Sequence, residues 1–334
     1  MQRLINTAID NSFGLRVDAQ ESWQIAFDSD LPEVVQTLKD RCSNWLVVGD
    51  ASNLILPSQL PLAVLQDTRK TITWEDDQLV AASGCAWDYL VAAAVEAGYF
   101  GLENLSGIPG RVGAAPIQNI GAYGAQLSDT LRSVRVFNTQ SMAYEELLAN
   151  ALRLGYRDSL FKSKEGAHYI VVEVTLHLSS VFTPNLSYPG LNGLLARGSS
   201  APDLTARRVR EHVLRLRGEK LPDPSLRGNV GSFFKNPMLD SMQREKCLAR
   251  DVTVYSTEFG FKASAAQMIE RSGLKGHQSG SAKVSSQHAL VIENLGDATY
   301  EEVVHLKNEI QHRVADIFSV WLEPEPQILP QQAN

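Results

Sequence analysis

Residues 101–124 read GLENLSGIPGRVGAAPIQNIGAYG, and the fold turns on this run. Six of its 24 residues are glycine, two are proline, and only Glu103 and Arg111 carry formal charge. Glycine lets the backbone turn its N–H groups inward and lets a ligand come close. Successive N–H groups in such turns form concave anion sites. With so little cationic side chain in the run, a phosphate bound here is held mainly by backbone and by Ser, Asn or Gln. The stretch reads either as a ligand loop or as a turn-rich surface connection. Long loops in compact chains are usually functional, which favours the first.

Around this run the chain has 334 residues, the length of about two domains or three small ones. Hydrophobic content of 44% with 21% charge is that of an ordinary globular protein. The net charge of −7 argues against a nucleic-acid protein, which shows a basic stripe. A local cluster, Arg207, Arg208, Arg210, Arg215, Arg217 and Lys220, still suits an anionic small ligand or a solvated helix face. Cys42, Cys85 and Cys247 are scattered, with no CxxC pair, so neither zinc nor a disulfide framework is expected. The histidines show no HExxH pattern, and no metal is assigned. The N-terminus lacks the apolar core of a signal peptide. No apolar run approaches the roughly 20 residues needed to cross a bilayer, so a cytoplasmic protein is expected.

Strand signals crowd the first 180 residues: 14–27, 45–48, 63–66, 71–74, 79–82, 131–138, 143–147 and 169–178. A helix runs from Asp30, read as its cap, to about Arg41, and a second spans 88–97. The character changes near residue 190. Helices are expected over 204–217, 264–271 and 300–318, the last with Val303, Val304, Leu306, Ile310, Val314 and Ile317 on one stripe. Residues 199 to about 320 read as a separate α+β domain.

Five sites can carry chemistry. Gly49-Asp50-Ala51-Ser52-Asn53 follows a strand, where nucleotide ligands often dock, though a plain connection fits equally. The 101–124 run is the second. Neither GxGxxG nor GxxxxGK[ST] occurs, so a dinucleotide bound here sits on another fold. The third is 228–237, GNVGSFFKNP, where two glycines place Ser232 on a tight backbone with Lys235 and Asn236 near enough to hydrogen-bond. A serine hydroxyl donates a proton to a basic carbanion when neighbouring groups stabilise the resulting oxyanion; the plainer alternative is a turn cap. The fourth is Arg157 in GYRDS, suited to a bidentate carboxylate contact or to an ion pair with Asp158. The fifth is Glu323-Pro324-Glu325-Pro326, a proline-framed carboxylate pair or a solvated acidic tail.

Taken in order, these sites resemble the UDP-N-acetylenolpyruvoylglucosamine reductase family, flavoenzymes of bacterial cell-wall precursor synthesis. The resemblance rests on 11–14 (NSFG), 49–53, 101–124, 155–159, Tyr188, 220–224 (KLPDP), 228–237 and 323–325, and so spans most of the chain.

That resemblance implies an α+β chain with a vanillyl-alcohol-oxidase-type FAD-binding fold. Its subdomains would be 1–67, to which 320–334 returns, and 68–198, with a third, substrate-binding domain over 199–319. Non-covalent FAD would lie along Gly49, Asp50, Ala51, Ser52 and Asn53. It would also lie along Gly110, Val112, Gly113, Ala114, Gln118, Asn119, Gly121, Ala122 and Tyr123, its pyrophosphate on backbone amides. NADPH would be the hydride donor and a UDP-sugar the substrate, with a monomer expected. Arg157 and Glu325 would stabilise the enol-like intermediate and Ser232 would supply its proton. Tyr188, Lys220, Asn236 and Tyr255 would contact the substrate, with Arg217 as a further contact.

There are departures. The family often follows Pro-Glu with Val-Arg, whereas Pro326-Gln327 stands here. Ala114-Ala115 replaces residues that are often serine in relatives. Tyr188 in LSYPG matches the branch with a tyrosine-bearing loop over the substrate, so a lid is expected there. Two other readings are an oxidase on the same fold, which needs no proton donor, and an inactive sugar-nucleotide sensor.

Overall fold

The helix Asp30–Asp40 shows how the chain packs. Leu31, Val34, Val35 and Leu38 recur at the spacing that lines one helical face, and all four are buried. The residue at the cap position is Ser29, whose side chain makes no capping bond. Asp30 instead reaches back and accepts hydrogen bonds from the N–H groups of Ala26 and Phe27. The expected cap is therefore displaced by one residue, because the preceding turn also needed a partner for its N–H groups.

The computed structural model describes residues 1–196 and 204–330. The first residues of the expected third domain, 199–203, and the end of the expected C-terminal return, 331–334, lie outside them. Contacts gather the chain into two compact units. The first comprises Met1–Thr7, Ala19–Asp50 and Pro61–Arg217; the second comprises Ala8–Asp18, Ala51–Leu60 and Gly218–Asn334.

The first unit holds two sheets. One is ordered Gln2–Ala8, Asp18–Ile25, Gln59–Asp67, Trp45–Val47, and its last pair is parallel, Trp45 opposite Ala63. The other is antiparallel, ordered Ala143–Leu148, Leu131–Asn138, Tyr169–His177, Gln78–Ala82, Ile72–Glu75. The helix Asp30–Asp40 packs with Trp23, Ile25, Ala63 and Leu65 and also with Phe137, Ile170 and Val172, joining both sheets in one core. A second core lies between the five-stranded sheet and the helix Trp87–Glu96, and it takes in Leu102, Leu105, Val112 and Ala115 of the glycine-rich run. The run is thus seated on packed structure. The helix Ala206–Lys220 has its first twelve residues in this unit, where Arg210 meets the Asp88 carboxylate through both terminal nitrogens.

The second unit contains short strands. Met238–Leu239, Gly260–Ala263 and Val254–Thr257 form one sheet; Gln278–Ser279, Ala282–Val284 and Ile292–Asn294 form another. Leu54–Ile55 pairs in parallel with Gln327–Ile328. The helix Tyr300–Phe318 opens on a capping box, Thr299 with Glu302. It buries Val303, Leu306, Ile310 and Val314 as expected, but Gln311 and Phe318 rather than Val304 and Ile317 complete the inner face. The helix Ala265–Arg271 is capped by Ser264.

Segment 11–14 has a definite task in this unit. Asn294, buried, donates to the carbonyls of Phe13 and Gly14, and its own oxygen accepts from Gly296 and Ala298. Asn229 donates its N–H to Ser12 O. A Cβ at Gly228 would lie 2.0 Å from the Phe13 carbonyl oxygen. Gly228→Ala is therefore expected to cost about 3 kcal/mol in unfolding experiments, as an unrelieved overpacking; wild-type stability would mean that Phe13 yields freely. Among the described residues, no helix is long and apolar enough to cross a membrane.

Candidate active site

In the first unit the glycine-rich run is held from below. Val112 N–H donates to Cys85 O and Gly113 N–H to Ser83 O. A Cβ at Gly113 would lie 2.4 Å from Ser83 Cβ, so only glycine lets the run lie this close. Arg111 bridges outward: its Nε meets Asp50 Oδ1 at 2.5 Å, and its terminal nitrogen donates to Gly84 O at 3.0 Å. This pair ties the run to the loop after the strand Trp45–Val47, across 61 positions of sequence. Neither partner was singled out for the other by sequence reasoning.

These bonds decide which backbone groups remain for an anion. The N–H groups of Val112, Gly113 and Ala114 are already engaged, the last with Arg111 O. Among the described residues, those of Gly49, Asp50 and Ala51 make no hydrogen bond. Ala51 is nevertheless buried, and its φ of +45° lies in the left-handed region. Consecutive N–H groups with such a kink form a nest for a negatively charged oxygen, and buried N–H groups without partners are rare. The turn therefore fits a pyrophosphate-bearing cofactor.

Asn119 is buried and its side chain is fully used inward. Its oxygen accepts from Ser128 N–H at 2.9 Å, and its amide donates to Gly155 O at 3.1 Å. Its backbone has φ +46°, in the left-handed region. The same bond fixes the turn that carries Arg157. Gly155 and Asp158 exchange backbone bonds around it, and Arg157 itself has φ +55°. Its guanidinium donates to Gly121 O at 2.8 Å, towards the run. The side chain of Asp158 accepts from the adjacent Ser159 N–H.

Tyr123, at φ +50°, packs edge-on against Tyr188 with ring centroids 5.1 Å apart. Arg217 passes over Gly107, and burial pushes its guanidinium below the ordinary arginine range, against the pull of Tyr123 and Asp88. Three expected ligand residues of the first unit, Tyr123, Tyr188 and Arg217, thus lie together.

In the second unit Gly231, at φ +73°, turns the chain so that Ser232 bridges Val291. Phe233 N–H donates to Leu290 O at 2.7 Å, and its carbonyl accepts from Glu325 N–H at 2.9 Å. Ser232 and Glu325 are so carried by neighbouring segments of one small ladder. Ser232 is half-buried, and among the described residues its hydroxyl makes no hydrogen bond. The expectation that Lys235 and Asn236 hydrogen-bond to it fails. Lys235 pairs with Glu323 at 2.5 Å, and Asn236 turns its oxygen to Ala265 N–H at 2.9 Å. Glu323 is thus held in an ion pair, and the Asn236 NH2 group makes no hydrogen bond among the described residues. Asn53, in the turn 49–53, donates to Glu325 O at 3.3 Å, and its backbone carbonyl accepts from Gln327 N–H at 3.0 Å.

Lys220 lies near His288, whose imidazole is held below the ordinary histidine range by burial and then by Lys220 and Lys275, against Glu270. Tyr255 stands exposed on the strand Val254–Thr257, opposite Lys262.

A family model described as "FAD binding domain" matches residues 27–142. One described as "UDP-N-acetylenolpyruvoylglucosamine reductase, C-terminal domain" matches residues 223–329. The UDP-N-acetylenolpyruvoylglucosamine reductase of Pseudomonas aeruginosa is 40% identical over 327 residues, covering 95% of this chain and 96% of its own. That of Alcanivorax borkumensis is 38% identical over 330 residues, covering 96% and 94%. The solved UDP-N-acetylenolpyruvylglucosamine reductase of Thermus caldophilus superposes with a TM-score of 0.71 over 98% of each chain, at 24% identity, a likeness of fold. The α+β class with a vanillyl-alcohol-oxidase-type FAD-binding fold is borne out. By the length and level of these matches, the chain belongs to the UDP-N-acetylenolpyruvoylglucosamine reductase family.

Proposed function

We propose that this chain is an FAD-dependent oxidoreductase that reduces UDP-N-acetylenolpyruvoylglucosamine to UDP-N-acetylmuramate, with NADPH as hydride donor, in cytoplasmic peptidoglycan precursor synthesis. FAD, which the chain would hold non-covalently, would supply hydride originating from NADPH for the terminal carbon of the enolpyruvyl double bond, chemistry that no side chain supplies. The electron pair left on the carbon beside the carboxylate spreads into that carboxylate. Arg157 stabilises the growing charge and Glu325 shapes the field around it. Ser232 Oγ gives its proton to that carbon and is reprotonated from solvent.

Gly49, Asp50 and Ala51 hold the pyrophosphate through their N–H groups, with Ser52 and Asn53 completing the turn. Gly110, Val112, Gly113, Ala114, Gln118, Asn119, Gly121, Ala122 and Tyr123 shape the surface on which the cofactor rests. Tyr188, Arg217, Lys220, Asn236 and Tyr255 bind the sugar nucleotide. In this reading the chain works as a monomer divided at 1–67 with 320–334, 68–198 and 199–319.

The observation that carries the reading is the Ser232 hydroxyl, which makes no hydrogen bond among the described residues while Lys235 and the Asn236 oxygen are engaged elsewhere. The test is direct. Purified protein should be yellow and release FAD on denaturation. With NADPH it should convert the enolpyruvyl sugar nucleotide into a product heavier by two hydrogens. Protein that stays colourless after added FAD, or forms no such product, would end the proposal.

A further inference from the structure

The glycine-rich run and the tyrosine-bearing segment are joined by one buried amide that no step above uses. Asn104 sits in the short turn Glu103–Leu105 and is 3% exposed. Its base is rigid. The Trp87 indole N–H donates to Leu105 O at 3.0 Å, and the Glu103 carboxylate accepts from Gly101 N–H at 3.0 Å. From that base the Asn104 amide donates both of its protons, to Tyr123 O at 2.7 Å and to Asn185 O at 2.9 Å. Asn185 answers by donating to Gly124 O at 2.9 Å. Its side-chain oxygen accepts from the N–H and hydroxyl of Ser187, one residue before Tyr188. The two asparagines thus interlock around 123–124, and the Tyr188 ring rests on Tyr123.

We infer that Asn104 is a positioning residue that sets the height and direction of Tyr188 over the substrate by clasping the Tyr123 and Asn185 carbonyls. The inference rests on the substrate-binding reading of Tyr188. A single NH2 group with two carbonyl acceptors allows no independent movement of either: if 123 shifts, 185 must follow or lose its bond. Asp cannot replace it, because a carboxylate offers no protons to two carbonyls. The cofactor nest is not part of the clasp. The N–H bonds of Val112 and Gly113 and the Arg111–Asp50 pair do not involve Asn104.

The test uses the FAD-loaded enzyme with saturating NADPH and varied enolpyruvyl sugar nucleotide. Asn104→Ala should raise KM about tenfold while kcat and the FAD dissociation constant stay within about threefold. Asn185→Ala, at an exposed position, keeps the carbonyl that Asn104 holds but removes the bond to Gly124 O and the acceptor for Ser187, and should raise KM in the same direction by a smaller factor. The double variant should fall short of the product of the two single effects, since both substitutions loosen the same junction of 123–124 with 185 through different bonds. An unchanged KM in both variants overturns the inference. So does a parallel loss of FAD affinity and unfolding midpoint in Asn104→Ala without a KM effect in Asn185→Ala, which would make Asn104 a brace for the fold. Wild-type enzyme that fails to turn over the sugar nucleotide would instead refute the functional reading itself.

Discussion

Ser232→Ala is expected to leave anaerobic bleaching of the flavin by NADPH at the wild-type rate, while reoxidation by the enolpyruvyl substrate slows roughly a hundred- to ten-thousand-fold. The split follows from what the hydroxyl does. Hydride arrival from NADPH creates no carbanion, so no proton donor is needed in that half. Hydride delivery to the alkene leaves an electron pair beside a carboxylate, and the product forms only when a proton reaches that carbon. Truncation to Ala removes one oxygen from a half-buried position and breaks no hydrogen bond among the described residues, so the ladder from Phe233 to Glu325 should persist. Stopped-flow absorbance separates the halves. Equal slowing of both would mean that Ser232 supports the fold or the cofactor and is not the proton donor.

Arg157→Ala carries the second large effect, a slowing of the same half-reaction by roughly a hundred- to a thousand-fold, again with flavin reduction spared. Arg157→Lys should recover little, because a point charge on a flexible stem does not reproduce a planar donor fork. The backbone offers an independent check. A non-glycine residue at φ +55° costs about 1 to 2 kcal/mol. Arg157→Gly relieves that strain and loses the bond from the guanidinium to Gly121 O. The glycine variant should therefore be at least as stable as the alanine variant while equally inactive. If either variant failed to retain FAD, Arg157 would be a structural tie of the glycine-rich run.

Elements with strong periodicity were legible in the chain. The stripe through Val303, Leu306, Ile310 and Val314 comes from burial of one helix face, and the apolar run within Leu131–Asn138 from a strand buried over most of its length, both of which sequence records directly. The strand Gln2–Ala8 was not legible, because it is an edge strand with mostly exposed residues and no apolar alternation. The helix Ser241–Leu248 buries only Cys247 and so carries no stripe. Strands of two to four residues in the second unit are too short to show a period.

At the candidate site, the glycine-rich run, Arg157 and Ser232 stood out by residue type and by resemblance. Arrangements that depend on distant partners did not. Arg111 finds Asp50, Asn294 braces Phe13 across 281 positions, and Asn104 spans Tyr123 and Asn185. In each case a common polar residue acquires its role only when the fold supplies its acceptor. The expectation that Lys235 and Asn236 would serve Ser232 failed for the same reason: sequence neighbours on an extended segment point elsewhere, here to Glu323 and Ala265.

The most direct test removes oxygen from the experiment. FAD-loaded protein is bleached anaerobically with one equivalent of NADPH and then mixed with UDP-N-acetylenolpyruvoylglucosamine. The account predicts that the yellow colour returns at once, in proportion to the sugar nucleotide added, with UDP-N-acetylmuramate formed in equal amount. Colour that stays bleached with the sugar nucleotide present and returns only when air is admitted would contradict it.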